Sequence, residues 1–221
     1  MASRVPRIKA SKRKLTAELA YWRTRSREAA VESGADWYAW AFTEPFGLSA
    51  DFYAGKRLLD VGCGPRGSLE WATGAAERVG VDPLADRYRK LHSRGHATTY
   101  VKAGAEAMPF ADGHFDVVAC LNALDHVDDV GAAIAEIGRV SRVGATLLLV
   151  VDIGHDPTTM EPHRFEWDVL DRFAPAWTVA ARSDLERLSP NMLANLQAAQ
   201  AFDHADRRER PGVQSARLVR A

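Results

Sequence analysis

Short apolar runs alternate with longer amphipathic segments through most of the chain. Nearly continuous apolar runs of this length are typical of strands that are buried on both faces of a sheet. Strands that alternate with helices predict an α/β fold, with a doubly wound, mostly parallel sheet and helices on both faces. The predicted strands lie at 56–61, 78–82, 98–102, 115–121, 145–151, 177–183 and 213–220. The predicted helices lie at 11–33, within 35–48 with an end before Pro45, and at 68–77, 84–95, 128–141, 167–174 and near 190–202.

The loops that follow the predicted strands are where function is expected. In a doubly wound sheet, ligands bind beyond the carboxyl ends of the strands, near the point where the strand order reverses. Four loops meet this condition, and they lie at 60–67, 82–83, 122–127 and 152–163. We therefore expect the chemistry of the protein in these four loops.

The loop after the first strand is rich in glycine. The segment "LLDVGCGPRG" at 58–67 satisfies G-x-G-x-x-G with Gly62, Gly64 and Gly67. Glycines let the backbone turn tightly and approach a ligand closely, and the start of the predicted helix behind them favours a negatively charged ligand group. Asp82 follows Gly62 by 20 residues, at the end of the second strand, where an acid can accept both hydroxyls of a ribose. The pattern predicts an adenosine-containing cofactor, and both NAD and S-adenosylmethionine fit it.

Four ordered segments, taken together, resemble the successive motifs of class I S-adenosylmethionine-dependent methyltransferases, of the small-molecule, type 11-like kind. The segments are "LLDVGCGPRG", "VGVDPLA", "AGAEAMPFADGHFDVVACLNALDHVDD" and "GRVSRVGATLLLVVD", within residues 56–152. The resemblance implies a Rossmann-like sheet of seven strands, in which 213–220 supplies one antiparallel strand near the edge. It also implies an enzyme that uses S-adenosylmethionine as cofactor and releases S-adenosylhomocysteine.

The resemblance also implies which residues hold the cofactor. Asp60 and the glycine loop would hold the methionine end, Asp82 the ribose, residues 105–107 the adenine edge, and Asn122 would close the pocket. The implied cofactor-binding residues are Asp60, Gly62, Cys63, Gly64, Asp82, Pro83, Ala105, Glu106, Ala107 and Asn122. The charge of Asp60 favours this cofactor over NAD, because an anion beside the loop suits an ammonium and a sulfonium but repels a pyrophosphate.

Two positions depart from the family pattern. Arg66 stands where the family commonly has a third glycine, and Gly67 comes one residue later. Gly104 stands where the family often has an aspartate that accepts from the adenine amino group. We therefore expect a shifted loop, with Arg66 as a local contact, and adenine recognition by Glu106 or by backbone carbonyls.

The candidate catalytic residues are histidines. An oxygen nucleophile usually needs its proton removed, and a histidine with a pKa near working pH suits that task. His126, just beyond the fourth strand, is the candidate base, and the alternative is a loop histidine that shapes the pocket. His155 and His163, after the fifth strand, are candidates for contact with the substrate. Together with Asp156 and Glu161 these histidines could bind a divalent metal, but the spacing does not require it and we expect no metal.

The N-terminal part of the chain is expected to be a cap. We divide the chain into a helical cap or lid at 1–50 and a methyltransferase domain at 51–221, which form one compact unit. The cap is rich in aromatic side chains, which would either close over an apolar substrate and exclude water or form the core of the cap. These aromatic residues are Trp37, Tyr38, Trp40, Phe42 and Phe46.

Charge leaves other functions open. The chain has 29 basic and 29 acidic residues, so it lacks a whole-protein positive field for nucleic acid. Basic residues concentrate in 1–27, where Glu18 is the only acid, so an RNA methyltransferase with a basic arm is an alternative. An NAD-dependent oxidoreductase and a non-catalytic scaffold that binds S-adenosylmethionine are the others. The preferred partner is a small-molecule substrate.

Cysteine content and hydropathy bear on location. Cys63 and Cys120 both lie in apolar runs, and two cysteines suggest neither a disulfide framework nor a zinc site. No apolar run reaches the roughly 18 residues of a membrane-spanning helix, and the basic N-terminus is not followed by the apolar region of a signal peptide. We therefore expect a soluble, cytoplasmic protein that has no membrane partner, and we leave its oligomeric state open.

Overall fold

The computed structural model describes residues 12–28, 35–88 and 95–221. Some sequence predictions lie outside these ranges, namely the basic residues before Lys12, the last residues of the helix predicted at 11–33 and the second half of the helix predicted at 84–95. Among the described residues, no helix is long and apolar enough to cross a membrane. Cys63 and Cys120 are both buried, and each is a free thiol.

The strands form one seven-stranded sheet in the order β3-β2-β1-β4-β5-β7-β6. Their bounds are β1 Arg57–Val61, β2 Glu77–Val81, β3 Thr99–Val101, β4 Phe115–Leu121, β5 Ser141–Ile153, β6 Trp177–Glu186 and β7 Gly212–Arg220. β7 runs antiparallel to both of its neighbours, and the other neighbouring strands pair in parallel. The predicted sheet is therefore confirmed, including the antiparallel strand near its edge. The strand order reverses between β1 and β4, which places the carboxyl ends of β1, β2, β4 and β5 around one crevice.

Five α-helices and several short 3-10 turns surround the sheet in the described part of the chain. The α-helices are α1 Lys12–Glu28, α2 Ala35–Thr43, α3 Ala85–Tyr88, α4 Val130–Val140 and α5 Met192–Ala198. The 3-10 turns are Glu44–Phe46, Ala50–Tyr53, Leu124–His126 and Val169–Phe173. Asp129 directly precedes α4, and its side chain accepts a hydrogen bond from the backbone N–H of Ala132 at 3.0 Å and so caps the helix.

Two hydrophobic clusters cover the two faces of the sheet. Leu59 and Val61 of β1 belong to the cluster that α4 and the Val169–Phe173 turn cover. Leu58 belongs to the other cluster, which α2 and α5 cover. Because alternate residues of a strand share a face, Asp60 lies on the same face as Leu58. A carboxylate therefore stands on the α2 side of the sheet, at the end of its first strand.

The helix predicted at 68–77 is wrong, because this segment forms turns instead. Long-range contacts hold it in that shape. The carboxylate of Glu70 accepts from the backbone N–H groups of Ala97 and Thr98 at 2.8 and 2.9 Å, and the guanidinium of Arg78 donates to the carbonyl of Glu70 at 3.0 Å. At the end of the segment, the N–H of Ala76 donates to the carbonyl of Lys56 at 2.9 Å, so the chain is already paired beside β1 one residue before β2 begins. Consequently no helix N-terminus stands behind the glycine loop to attract an anion.

Candidate active site

A cavity of about 1090 Å³ lies at the carboxyl ends of β1, β2, β4 and β5. Its walls include every cofactor-binding residue that the sequence predicts except Gly64, and also the candidate base, His126. Residues of α1, α2 and α5 complete the walls. The fold thus brings the four predicted loops to one cavity, and a cavity of about this size is typical of a small-molecule site.

The glycine loop turns sharply against the end of β4. Gly62 has a φ of +74°, and a Cβ added to it would lie 2.4 Å from the Cβ of Ala123. A Cβ on Gly64 would lie 3.0 Å from the indole of Trp22 in α1. Glycine is therefore required at 62, and favoured at 64, by close packing within the protein as well as by any approach of a ligand. Between these glycines, Cys63 is buried, and burial raises the pKa of its thiol well above the usual value, so that the thiol stays protonated.

Asp60 is a buried carboxylate at the end of β1, with only 4% of its surface exposed. The hydroxyl of Ser68 donates a hydrogen bond to its Oδ2. Burial raises the pKa of Asp60 to about 7, although the Ser68 hydrogen bond opposes the shift and the nearby Asp82 adds to it. A buried acid of this kind is costly to ionise without a cationic partner.

Asp82 is the second buried carboxylate, at the end of β2. Its Oδ1 accepts from the N–H of Leu84 at 2.7 Å, and its Oδ2 accepts a long hydrogen bond from the N–H of Gly64 at 3.4 Å. These contacts hold the carboxylate beside the glycine loop and against the cavity. Burial raises the pKa of Asp82 to about 6, with a further contribution from Glu18, while the two backbone hydrogen bonds and His126 lower it.

The loop after β3 carries the predicted adenine edge. Ala105, Glu106 and Ala107 line the cavity, as does Pro83. Glu106 also has a structural task, because its Oε1 accepts from the backbone N–H groups of Asp128 and Asp129 at 2.7 and 3.3 Å. A Cβ on Gly104 would lie 2.7 Å from Oε2 of Glu106. An aspartate at 104 would therefore collide with the Glu106 carboxylate in its present position.

Asn122 lines the cavity in an unusual conformation. Its φ is +55°, in the left-handed region that asparagine tolerates better than most residues. Its Oδ1 is buried and has no hydrogen-bond partner among the described residues. Strained backbone and unsatisfied polar atoms concentrate at functional sites, so the geometry is in keeping with the predicted place of Asn122 in the pocket.

Helix α1, which belongs to the predicted cap, lies over this cavity, but its lining residues were not predicted as site residues from the sequence. Lys14, Glu18 and Trp22 all line it. The ammonium of Lys14 donates to Oδ1 of Asp128 at 2.7 Å and also to the carbonyl of His126. The guanidinium of Arg66 lies over the Trp22 ring, 5.5 Å from its centroid, and its expected contact with the carboxylate of the cofactor stays a prediction. Their spacing could have indicated that Lys14, Glu18 and Trp22 act together, because residues four apart share one face of a helix.

His126 lies between two carboxylates. Its Nδ1 is 3.2 Å from Oε1 of Glu18, and its Nε2 is 3.6 Å from Oε1 of Glu161. Burial disfavours the charged imidazolium, but the hydrogen bond with Glu18 and the charges of Asp125 and Glu161 outweigh this effect and raise the pKa of His126. The side chain keeps 27% of its surface exposed, so it remains accessible from the cavity.

His155 and His163 do not line the cavity. Nε2 of His155 is 3.4 Å from Oδ2 of the buried Asp125, and its Nδ1 is 3.0 Å from the carbonyl of Asp156. Nε2 of His163 is 3.0 Å from the carbonyl of Val127. Both histidines thus tie the loop after β5 to the turn that carries His126. The nearby carboxylate of Asp125 is the main cause that raises the pKa of His155 to about 9.

A cation could be accommodated beside His126 on geometry alone. Asp125, His126 and Glu161 each offer one ligand atom, and these atoms lie within 4.8 Å of one another. Each group already has an oppositely charged neighbour, since Asp125 faces His155 and His126 faces two carboxylates. The expectation that no metal is needed stays a prediction.

The part of the cavity beside α2 and α5 has mainly apolar walls. They include Tyr38, Phe42, Leu121, Val150, Met192 and Leu193. At its polar end Asp152 pairs with Arg187, with 3.3 Å between Oδ2 and Nη2. The aromatic residues of the predicted cap divide between two roles, because Trp37, Tyr38 and Phe42 line the cavity whereas Phe46 is a core residue. Trp40 packs against the same core, and its indole donates to Glu44 at 3.0 Å.

The known proteins to which this sequence is similar are methyltransferases. A family profile described as a methyltransferase domain matches residues 59–149. The chain is 29% identical over 161 residues to O-methyltransferase rstn1 of Aspergillus nomiae, which covers 69% of this chain and 67% of that protein. It is 36% identical over 92 residues to malonyl-acyl-carrier-protein O-methyltransferase of Pseudescherichia vulneris, which covers 41% of this chain and 36% of that protein. The matched segments therefore span between 36% and 67% of these relatives' own lengths.

Solved structures share the fold. Geranyl diphosphate C-methyltransferase from Streptomyces coelicolor A3(2), in complex with Mg²⁺, geranyl diphosphate and S-adenosylhomocysteine, superposes with a TM-score of 0.56 at 19% identity and covers 78% of this chain and 76% of its own. The 4+2 cyclase SpnF superposes with a TM-score of 0.61 at 18% identity, over 98% of this chain and 99% of its own. At these identities the likeness is one of fold.

Proposed function

The chain belongs to the class I S-adenosylmethionine-dependent methyltransferase family, and on that premise we propose that it methylates an oxygen of a small-molecule acceptor. One observation carries the proposal: the buried carboxylates Asp60 and Asp82 flank the glycine loop, and His126 lines the same cavity. Curated relatives that are named O-methyltransferases support oxygen as the acceptor atom.

The two acids fit S-adenosylmethionine. Asp82 accepts the ribose hydroxyls, and Asp60 faces the ammonium of the methionine end. Both have a raised pKa because of burial, and a cationic ligand offsets the cost of their ionisation. The pyrophosphate of NAD would meet two carboxylates and no helix N-terminus, so this cofactor fits poorly. Arg66 supplies the positive charge for the cofactor's carboxylate that a helix would otherwise supply.

His126 acts as the base. When bound, S-adenosylmethionine supplies a methyl group that is activated by positive sulfur. Transfer of this methyl group to the acceptor oxygen would break its bond to sulfur, and Nε2 of His126 would take the hydroxyl proton. The products are the methylated acceptor, S-adenosylhomocysteine and an imidazolium that returns its proton to water. Much of the rate enhancement comes from holding the nucleophile in line with the methyl carbon.

The remaining parts exclude water and hold the acceptor. Residues 1–50 act as the cap and 51–221 as the catalytic domain, with α1 as the lid. The apolar walls beside α2 and α5 suit an acceptor with a ring or chain, and the Asp152–Arg187 pair suits a polar group at its end. His155 and His163 act behind the site, by holding the loop after β5 against the turn with His126.

Calorimetry and turnover test this function together. We expect S-adenosylmethionine and S-adenosylhomocysteine to bind and NAD not to bind. We expect S-adenosylhomocysteine release with at least one member of a panel of hydroxylated aromatic and aliphatic compounds, and much less release with the His126→Ala variant. Tight cofactor binding with no release on any acceptor would favour the non-catalytic scaffold. Release only with RNA, lost on deletion of residues 1–11, would favour the RNA methyltransferase.

A further inference from the structure

Two contacts fasten α1 to the turn Leu124–His126 and the residues after it. Lys14 bonds to Asp128 at 2.7 Å, and four residues later Glu18 approaches Nδ1 of His126 at 3.2 Å. Only 13% of the Glu18 side chain is exposed, and Glu18 lines the cavity. A carboxylate from the N-terminal helix thus reaches the candidate base at 126, which lies 108 residues further along the chain.

The chemistry of the contact selects one form of the imidazole. An ionised carboxylate can only accept a hydrogen bond, so Nδ1 of His126 must carry the hydrogen that faces Glu18. In the neutral ring the lone pair is then on Nε2. At 3.6 Å from Glu161, Nε2 is too far away for a hydrogen bond. The nitrogen that can take a proton is therefore the one that Glu18 does not engage.

We propose that Glu18 is a positioning residue for methyl transfer, which fixes the ring orientation and the tautomer of His126 so that Nε2 receives the acceptor's proton. This inference rests on the proposed role of His126 as base. The site is then complete only when α1 is docked, because the carboxylate that orients His126 belongs to Glu18 of this helix. Closure of α1 would couple the exclusion of water to the assembly of the base.

Of the residues that the structure describes, six have charged groups that face His126, Glu18 among them. They lie on α1, on the turn and the residues beside it, on the loop after β5 and at the end of β2. These groups are Lys14, Glu18, Asp82, Asp125, Asp128 and Glu161. Glu18 differs from the other carboxylates of this set because it hydrogen-bonds to the ring at Nδ1. Its removal should therefore change the orientation of the ring as well as the charge around it.

The experiment compares Glu18→Gln, Glu18→Asp and, as a matched control on the exposed side of α1, Arg23→Gln. We expect Glu18→Gln to lower kcat by about tenfold, with little change in the KM for S-adenosylmethionine. The rising limb of the kcat–pH profile should move to lower pH in this variant, because the carboxylate that raises the pKa of His126 is gone. Glu18→Asp should restore part of both properties, and Arg23→Gln should behave as the wild type.

Two further measurements separate positioning from a structural role. In a His126→Ala background, Glu18→Gln should have no additional effect on kcat, because the two residues act as one unit. The imidazole proton resonances of His126, followed by NMR in the cofactor-free protein, should titrate at lower pH in Glu18→Gln. Full additivity in the double variant, or an unmoved His126 titration, would overturn the inference. The NMR result decides the matter even if no acceptor is ever methylated, which would be a failure of the proposed function instead.

Discussion

The ammonium of Lys14 lies 2.7 Å from Oδ1 of Asp128, and the Lys14 side chain is only 7% exposed. Lysine is almost never buried to this degree unless it is paired. The pair therefore fixes the first turn of α1 against the loop that leads into α4, and it holds α1 over the cavity. Lys14 is also one of the basic residues that an RNA-binding arm would need, and in this position it is already engaged.

Loss of this pair should loosen α1 without unfolding the protein. In Lys14→Met the aliphatic stem remains, but Asp128 loses its partner, which we expect to cost about 1–2 kcal/mol in the docking of α1. Amide hydrogens at 12–28 should exchange faster, and S-adenosylmethionine should dissociate faster, while the melting temperature changes little. Arg13→Met, at an exposed neighbouring position, is the control. Unchanged exchange in α1 would contradict the assignment of Lys14 as its anchor.

Removal of the Asp82 carboxylate should weaken the binding of S-adenosylmethionine without lowering the stability of the fold. Asp82→Asn keeps the shape but replaces one acceptor for the ribose hydroxyls with an amide donor and removes the charge of the other, so the Kd for S-adenosylmethionine should rise about 10- to 100-fold. Burial raises the pKa of Asp82 to about 6, so its ionisation destabilises the cofactor-free fold as pH rises from about 4 through 6. The variant should therefore be at least as stable as the wild type at pH 8. Calorimetric titration and thermal unfolding measure the two effects, with Asp36→Asn as the control, and an unchanged Kd would refute the ribose assignment.

Binding of the cofactor should release protons between pH 6 and 7. In the free protein Asp60 titrates near 7 because it is buried, so it is partly protonated in this range. A cationic methionine end favours the ionised carboxylate, lowers its pKa and so expels the proton. Calorimetry in buffers of different ionisation enthalpy counts the released protons. The number should fall in Asp60→Asn, and equal proton release by this variant and the wild type would show that another group responds.

Chelation tests the expectation that no metal takes part. Treatment with EDTA followed by gel filtration should leave both cofactor binding and turnover unchanged. If turnover is lost and Mg²⁺ or Mn²⁺ restores it, the expectation fails, and the cluster of Asp125, His126 and Glu161 becomes the place to look. Cofactor affinity measured in parallel distinguishes the loss of a metal from general damage to the protein.

Particular residues explain what the sequence could and could not predict. β4 has the predicted bounds, because Phe115–Leu121 is an apolar run interrupted only by Asp116, and such a run indicates a strand buried on both faces. Asp60 and Asp82 lie at the carboxyl ends of neighbouring parallel strands, and such ends converge by topology alone. By contrast, the turns at 68–77 depend on bonds from Glu70 to residues 97 and 98, which no local pattern contains. The contact of Glu18 with His126 is of the same long-range kind.

The ion pair of His155 with Asp125 gives the last prediction, which concerns stability more than chemistry. Only 8% and 1% of these side chains are exposed, so His155→Ala leaves a buried carboxylate without its partner, at a cost of about 3 kcal/mol or more. The melting temperature should fall clearly, whereas kcat should fall less than in His126→Ala, because His155 does not line the cavity.

The pKa of His155 is raised from 6.5 to about 9, so its contribution to stability is complete below pH 6.5 and is lost as pH rises through 9. Thermal unfolding from pH 6 to 10 should show this loss in the wild type and not in the double variant Asp125→Asn with His155→Gln, which also removes the unpaired charge. If His155→Ala instead keeps its stability and loses turnover as completely as His126→Ala, the histidine acts in catalysis, as the sequence first suggested.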